Sequence, residues 1–215
     1  MHKNIAVLAG DGIGSEIITE AIKVLQAVAK KYHQSFTYEH ALIGAAAIDE
    51  TGNPLPDKTL EICKSSDAIL FGAIGDPKYD NDPNAKVRPE QGLLALRKAL
   101  NLYCNVRPVT IYDSLIDSSP LKRNRIEGVD LVIYRELTGG IYFGEKKEMN
   151  DRGFASDLCT YNKEEILRVA HLAFKAAGKR KNKLTLVDKA NVLASSRLWR
   201  SVVTELHSSE YKHID

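Results

Sequence analysis

The chain has 215 residues, 44% hydrophobic and 27% charged, which is the composition of an ordinary globular protein and excludes disordered and collagen-like classes. Thirty Lys and Arg against 28 Asp and Glu leave a formal net charge of +2, too balanced for a general nucleic-acid or membrane-surface binder. Three cysteines, Cys63, Cys104 and Cys159, contain no CxxC pair, so neither a disulfide framework nor a zinc site is signalled and a reducing compartment, the cytoplasm, is expected.

Near the N-terminus, Lys3 precedes an apolar run over residues 5–9 that Asp11 stops short of the roughly 7–15 residues of a signal-peptide core. No apolar run approaches the roughly 18 residues that span a bilayer, so a soluble, unexported chain is expected. Residues 5–8 predict a short buried strand. It enters Gly10-Asp11-Gly12-Ile13-Gly14, after which Ile17, Ile18, Ala21, Ile22, Leu25 and Val28 recur at helical spacing, with Ser15 read as the helix cap. Residues 36–39 suggest a second strand, residues 60–63 the end of a helix, and residues 68–71 a third, fully buried strand. From Gly72 to Glu90 the chain carries Gly72, Gly75, Pro77, Pro83 and Pro89 among Asp, Asn and Lys, a pattern that predicts a long loop without regular structure, functional or disordered.

Helical spacing returns over residues 92–100, and residues 129–134 and 184–187 read as further strands. In Leu137-Thr138-Gly139-Gly140-Ile141-Tyr142-Phe143-Gly144, paired glycines between β-formers predict a hairpin or tight bend. Residues 163–177 make an amphipathic helix ended by Gly178, and Lys179-Arg180-Lys181 is read as its solvated end, where cations suit the helix dipole. The repeated change of period predicts an α/β protein, without internal repeats.

The glycine-rich turn lacks the GxGxxG spacing that seats a pyrophosphate on a helix N-terminus, so it is not a Rossmann fingerprint, and its glycines serve at least a tight strand-to-helix turn. The arginines say more. Arg97 lies on the helix after the loop, Arg107 follows in Asn105-Val106-Arg107-Pro108, and Arg135 follows an apolar strand. Guanidinium groups converging at a sheet edge would hold a di- or tricarboxylate, whereas each arginine alone could equally pair with a local acid, Arg135 with Glu136 for example. Tyr142 and Lys189 are the candidate proton-transfer pair, and cations crowded around such a lysine favour its neutral, proton-accepting form. Packing for the tyrosine and a surface pair with Asp188 for the lysine are the competing readings.

Five ordered motifs carry a resemblance. They are Leu8 to Gly14, Arg88-Pro89-Glu90-Gln91-Gly92-Leu93-Leu94-Ala95-Leu96-Arg97-Lys98, Asn105 to Pro108, Arg135 to Gly144, and Val187-Asp188-Lys189-Ala190-Asn191-Val192-Leu193. Together they resemble the β-decarboxylating dehydrogenases of the isocitrate/isopropylmalate dehydrogenase family, from Ile5 to about Trp199. The resemblance implies that family's α/β fold, truncated here: a mixed sheet flanked by helices, and a second α/β domain containing a dimerisation hairpin. It implies that Arg97, Arg107 and Arg135 bind the malate part of a small-molecule substrate, and that Tyr142 and Lys189 transfer protons. It places Gly75, Asp76, Pro77 and Glu90 beside NAD, with Ile13 and Asn191 near that cofactor. Lys189, Asn191 and Val192 would reach into the site of a second copy, implying a homodimer with shared active sites and no nucleic-acid or membrane partner.

The implied reaction is oxidative decarboxylation of (2R,3S)-3-isopropylmalate to 2-oxoisocaproate, a step of leucine biosynthesis. Lys189 would take the proton of the 2-hydroxyl as hydride leaves C2 for NAD, Mg2+ or Mn2+ would stabilise the enolate left by carbon dioxide, and Tyr142 would protonate that carbon. Glu90, Leu93, Leu94 and Val192 match the set that recognises the isopropyl group, where a leucine pair would leave the additional carboxylate of isocitrate unpaired. Leu93 and Leu94 could also be core residues.

Family members continue for well over a hundred further residues, which carry the metal-binding aspartates, so no metal ligand is assigned in this chain. Residues 1–101 would then form an incomplete first, cofactor-side domain and residues 102–215 most of the second, with exposed apolar surface and low stability expected. Sister activities on homoisocitrate, isocitrate or tartrate, and a catalytically silent truncated subunit, are the alternatives.

Overall fold

A computed structural model describes residues 1–82 and 85–215, so Pro83, one of the prolines read into the loop, lies outside the described residues. Two compact units are present, Met1–Leu100 and Asn101–Asp215.

In the first unit β1 (His2–Gly10), α1 (Gly14–Lys31), β2 (Ser35–His40), α2 (Ala45–Thr51), α3 (Asp57–Ser65), β3 (Ala68–Ala73), α4 (Pro77–Asp80) and α5 (Pro89–Ala99) follow one another. The three strands form a parallel sheet in the order β2-β1-β3. Successive strand residues point to opposite faces, and β1 at the centre supplies both sides of the core. Ala6 and Leu8 pack with Ile43, Ile62, Cys63 and Leu96, whereas Ile5 and Val7 pack with Ile18, Ile22 and Leu25 of α1. Each fully buried Val, Leu or Ile among them contributes about 1.5–3 kcal/mol by leaving water, and the partly buried Ile22 and Leu25 less.

Three expectations are corrected in this unit. Helix α1 begins at Gly14 with Ile13 in the cap position and no side-chain cap bond, so Ser15 lies inside the helix, where its carbonyl accepts from Thr19 Oγ1 at 2.9 Å. The turn itself starts the helix, because Gly14 N donates to Asp11 O at 2.9 Å. Strand β3 is half-buried, not fully buried, since it forms an edge of the sheet. The supposed irregular stretch contains α4, whose Pro77 sits in the first turn while the Asp76 carboxylate accepts from Lys78 N at 2.8 Å, the usual way a helix N-terminus is satisfied. On α1 the apolar residues Ile17, Val24 and Val28, one face of the helix, are exposed.

The second unit holds β4 (Cys104–Thr110), a 3-10 turn (Asp113–Ser118), α6 (Arg123–Ile126), β5 (Asp130–Glu136), a 3-10 turn (Gly140–Tyr142), β6 (Lys146–Lys147), β7 (Ser156–Asp157), α7 (Lys163–Gly178) and α8 (Ala194–Glu210). Strands β4 and β5 pair antiparallel, and β6 and β7 form a short antiparallel arm. Helix α7 starts with a reciprocal capping box, Glu165 N to Asn162 Oδ1 at 2.8 Å and Asn162 N to Glu165 Oε2 at 2.9 Å. Its buried stripe, Ile166, Ala170, Phe174 and Ala177, packs with Val202, Val203 and Leu206 of α8.

The strand expected over residues 184–187 is not formed. Leu184 and Leu186 pack against the α7–α8 core, Val187 stands 89% exposed, and no described strand lies alongside to share its backbone bonds. Leu184 N donates instead to Asp215 O at 2.8 Å. At the far end of α7, Arg180 binds Asp130 at 2.6 Å, so the basic stretch is partly spent on an ion pair.

Candidate active site

The β4–β5 register sets the site. Asn105 lies opposite Arg135 and Arg107 opposite Ile133, so period-2 alternation puts Asn105, Arg107, Arg135 and Ile133 on one face and Cys104, Tyr134 and Glu136 on the other. The Glu136 face is the one against α7, because Arg168 of that helix reaches the Glu136 carboxylate at 3.0 Å. Arg107 and Arg135 are therefore diagonal neighbours on the outward face, and both are exposed. Arg107 Nε donates to Asn105 Oδ1 at 2.6 Å, and the Arg135 guanidinium lies over the Tyr142 ring, 5.5 Å from its centroid. Arg135 belongs to β5 itself instead of following it, and Glu136 is committed to other partners, so the proposed Arg135–Glu136 pairing does not occur.

Tyr142 ends the 3-10 turn Gly140–Tyr142, the tight bend expected of the paired glycines, and is about half exposed. Gly140 adopts φ +73, and a Cβ there would collide with the Tyr161 hydroxyl, so only glycine lets the turn close onto that ring. Gly140 N donates to Thr160 O at 2.9 Å, and Lys146 Nζ of β6 donates to Ile141 O at 3.2 Å.

Lys189, Asn191 and Val192 share a turn braced against the start of α8. Val192 N and Leu193 N donate to Lys189 O at 3.1 and 3.0 Å, Lys189 N donates to Ser196 Oγ at 3.2 Å, and Arg197 reaches the carbonyls of Ala190 and Val192. The Asp188 carboxylate does not pair with Lys189: Arg200 grips it through Nε at 3.0 Å and Nη2 at 2.8 Å, holding it below the ordinary carboxylate range. Lys189, Asn191 and Val192 face solvent.

In the first unit, Ile13 and the Gly75-Asp76-Pro77 segment follow the carboxyl ends of the adjacent parallel strands β1 and β3, the edge at which α/β sheets take ligands. Asp11, which sequence reasoning treated only as part of a turn, organises this edge. It is 5% exposed, and its two oxygens accept from Ala46 N and Gly75 N, each at 3.0 Å. Its position between two glycines at a strand end, where a short carboxylate bonds nearby backbone N–H groups, was the available signal. Gly75 has φ +124, and an added Cβ there would meet only the Glu90 carboxylate, at 3.4 Å, which brings two of the expected cofactor residues together. Ile13, in the turn that follows β1, is 56% exposed. On α5, Glu90, Leu93, Leu94 and Arg97 fall three and four residues apart and share a side, while Leu96 enters the core and Leu93 and Leu94 stay half-buried. Among the described residues no group of three His, Cys, Asp or Glu side chains is placed to hold a metal ion, and no described helix is long and apolar enough to cross a membrane.

Residues 4–215 match the family model described as isocitrate/isopropylmalate dehydrogenase. The chain is 56% identical over 205 residues to a 3-isopropylmalate dehydrogenase of Geobacillus kaustophilus, covering 94% of this chain and 55% of that protein. It is 52% identical over 206 residues to the 3-isopropylmalate dehydrogenase of Bacteroides fragilis, covering 96% of this chain and 58% of that protein. Among solved structures, an isocitrate dehydrogenase from Methylococcus capsulatus superposes with a TM-score of 0.82 at 30% identity over the whole of this chain and 59% of its own. A β-decarboxylating dehydrogenase from Thermococcus kodakarensis gives a TM-score of 0.69 at 33% identity, over 97% of this chain and 55% of its own. The chain thus spans well under two thirds of the length of these relatives.

Proposed function

The chain belongs to the isocitrate/isopropylmalate dehydrogenase family, and from that membership we propose that it is the N-terminal portion of an NAD-dependent enzyme that oxidatively decarboxylates (2R,3S)-3-isopropylmalate to 2-oxoisocaproate in leucine biosynthesis. The observation that carries the reading is the outward face of the β4–β5 ladder, where Arg107 and Arg135 stand together with Tyr142 against Arg135. Two guanidinium forks on one face suit the carboxylates of a malate, and each charge-assisted bond contributes roughly 1.5–3 kcal/mol. Arg97, on α5, is the third carboxylate-binding group of the proposal.

The residues Ile13, Gly75, Asp76, Pro77, Glu90 and Asn191 are assigned to NAD. Ile13 and Gly75 follow the carboxyl ends of the adjacent strands β1 and β3, and an exposed apolar side chain together with a glycine whose flank meets only Glu90 suits the ring and ribose of a dinucleotide. NAD when bound supplies the hydride acceptor. Lys189 would take the proton of the 2-hydroxyl as the C2 hydrogen leaves as hydride for the bound nicotinamide, and loss of both gives a 2-oxo acid with its carboxylate in the β position. After carbon dioxide leaves, Tyr142 returns a proton to the carbon it vacated. Mg2+ or Mn2+ accompanies this chemistry in the family, but the described residues offer no ligand set for it. Leu93, Leu94 and, from a second copy, Val192 are assigned to recognition of the isopropyl group, apolar side chains that would disfavour the additional carboxylate of isocitrate. Exposure of Lys189, Asn191 and Val192 is consistent with their service in a homodimer with shared sites, in the cytoplasm.

The test is NAD reduction, followed by absorbance, with 3-isopropylmalate, isocitrate, homoisocitrate or tartrate and Mg2+, on this chain and on one extended to the length of the relatives. Turnover of 3-isopropylmalate by the extended chain is expected, with this chain binding the malate weakly or turning it over slowly. Preference for isocitrate would overturn the assignment of Leu93 and Leu94. Failure of both lengths with every substrate would favour the silent-subunit alternative.

A further inference from the structure

Arg135 and Tyr142 are seven residues apart in sequence, so something must hold the intervening chain if the guanidinium is to stay over the ring. The described contacts converge on one buried acid. The Glu136 side chain is 2% exposed and its oxygens accept from Thr138 N at 3.1 and 3.0 Å, Thr138 Oγ1 at 3.0 Å and Gly139 N at 2.7 Å. These bonds fold residues 136–139 into a tight loop around the carboxylate. The charge that balances it comes from α7, where Arg168 Nη2 reaches Glu136 Oε1 at 3.0 Å and Thr138 Oγ1 at 2.5 Å. The other arm of the same fork, Nη1, donates to Asn101 Oδ1 at 3.0 Å, and the guanidinium plane lies 4.8 Å from the Tyr103 ring centroid. Its Nε is buried without a hydrogen-bond partner among the described residues, so the donor capacity in use points at the loop and at Asn101, which precedes β4.

The strand period converts this clasp into control of the site. Glu136 faces α7 because Arg168 draws it there, and its chain neighbour Arg135 is thereby held on the opposite face. On the downstream side, Gly139 and Gly140 are seated against Tyr161, which meets the single tryptophan, Trp199, edge-on at 5.4 Å. We infer that Arg168 is a positioning residue: through Glu136 and Thr138 it fixes Arg135 and Tyr142 relative to one another. Arg168 touches neither reacting group itself, and its importance to catalysis rests on the roles assigned above to Arg135 and Tyr142.

The experiment uses the 215-residue chain labelled with 3-fluorotyrosine and observed by fluorine NMR, with the Tyr142 resonance identified among the nine tyrosines by Tyr142→Phe. Arg135→Met calibrates the shift that follows loss of the cation over the ring. Arg168→Met is expected to displace or broaden the Tyr142 resonance in the same sense, leaving Tyr32 and Tyr38 unmoved. Arg168→Lys, which keeps the charge but not the fork, is expected to give an intermediate displacement. A Tyr142 resonance unmoved in Arg168→Met, with only a lower melting temperature by Trp199 fluorescence, overturns the inference. If the Met variant does not fold, an unmoved resonance in Arg168→Lys overturns it. Addition of 3-isopropylmalate to the unsubstituted chain extended to the length of the relatives is a separate arm: displacement of Tyr142 is expected, and its absence would sink the substrate reading while the variant series still decides the role of Arg168.

Discussion

The guanidinium of Arg135 lies over the ring of Tyr142, 5.5 Å from the centroid, and this pairs the proposed carboxylate-binding cation with the proposed proton donor. The contact is itself weak, of order 0.5–1 kcal/mol at an exposed site. Its value in the proposed reaction is geometric, since a substrate carboxylate held by Arg107 and Arg135, as proposed, would lie on the side of the ladder where Tyr142 meets Arg135.

That arrangement makes Arg135→Met costly for binding and cheap for folding. Loss of one charge-assisted fork removes roughly 1.5–3 kcal/mol, or about 10- to 150-fold in affinity for 3-isopropylmalate, measured by calorimetric titration of the extended chain. The melting temperature should stay nearly constant, because the side chain is exposed. Unchanged affinity would remove Arg135 from the substrate site.

Asp11 presents the opposite balance. Its carboxylate satisfies Ala46 N and Gly75 N inside the first unit, so Asp11→Ala leaves two donors unpaired and should lower stability by about 2 kcal/mol. Asp11→Asn, which retains one acceptor oxygen, should lose less. Urea unfolding reads both, with the midpoint shifting at constant slope; a midpoint like that of the unsubstituted chain would show that the bonds are dispensable.

Acid should loosen the Lys189 turn through its neighbour. Arg200 depresses the Asp188 carboxyl, so between the folded and unfolded values the unfolded chain binds more protons and acidification favours unfolding. The contribution of the pair is complete above about pH 4, the unfolded carboxylate value, and is lost as pH falls through the lower folded value. Melting curves of the unsubstituted chain and Arg200→Met should therefore differ at pH 7 and converge near pH 2. Curves separated equally at both extremes would contradict the pairing.

The three thiols should separate in reactivity. Cys63 is buried and Cys104 half-buried, and burial pushes both thiols up, with Glu136 adding to the effect at Cys104, whereas Cys159 is exposed. A short pulse of iodoacetamide followed by peptide mass analysis should label Cys159 first. Early labelling of Cys63 would mean that the first unit opens readily.

Local pattern was enough for much of this protein. The apolar run of β1, the 3.6-residue period of α1 and α7, the paired glycines before Tyr142 and the ordered motifs around Arg97, Arg107, Arg135 and Lys189 are properties of neighbouring residues, and each was legible in order along the chain. Two failures were local, the cap read at Ser15 and the short helix α4 that Asp76 starts; the others depended on distant partners. Residues 184–187 have a strand's composition, yet a strand exists only when another backbone lies beside it, and none of the described strands does. Edge placement of β3, the commitment of Glu136 to Arg168 and not to its neighbour Arg135, and the use of Asp11 to tie Ala46 to Gly75 were likewise decided by which segments meet in space. Sequence alone determined which chemical groups this chain carries and the periods on which they recur; tertiary structure decided which faces they share, because pairing register and buried charge are satisfied by residues 32 to 64 positions away, as at Glu136 and Asp11.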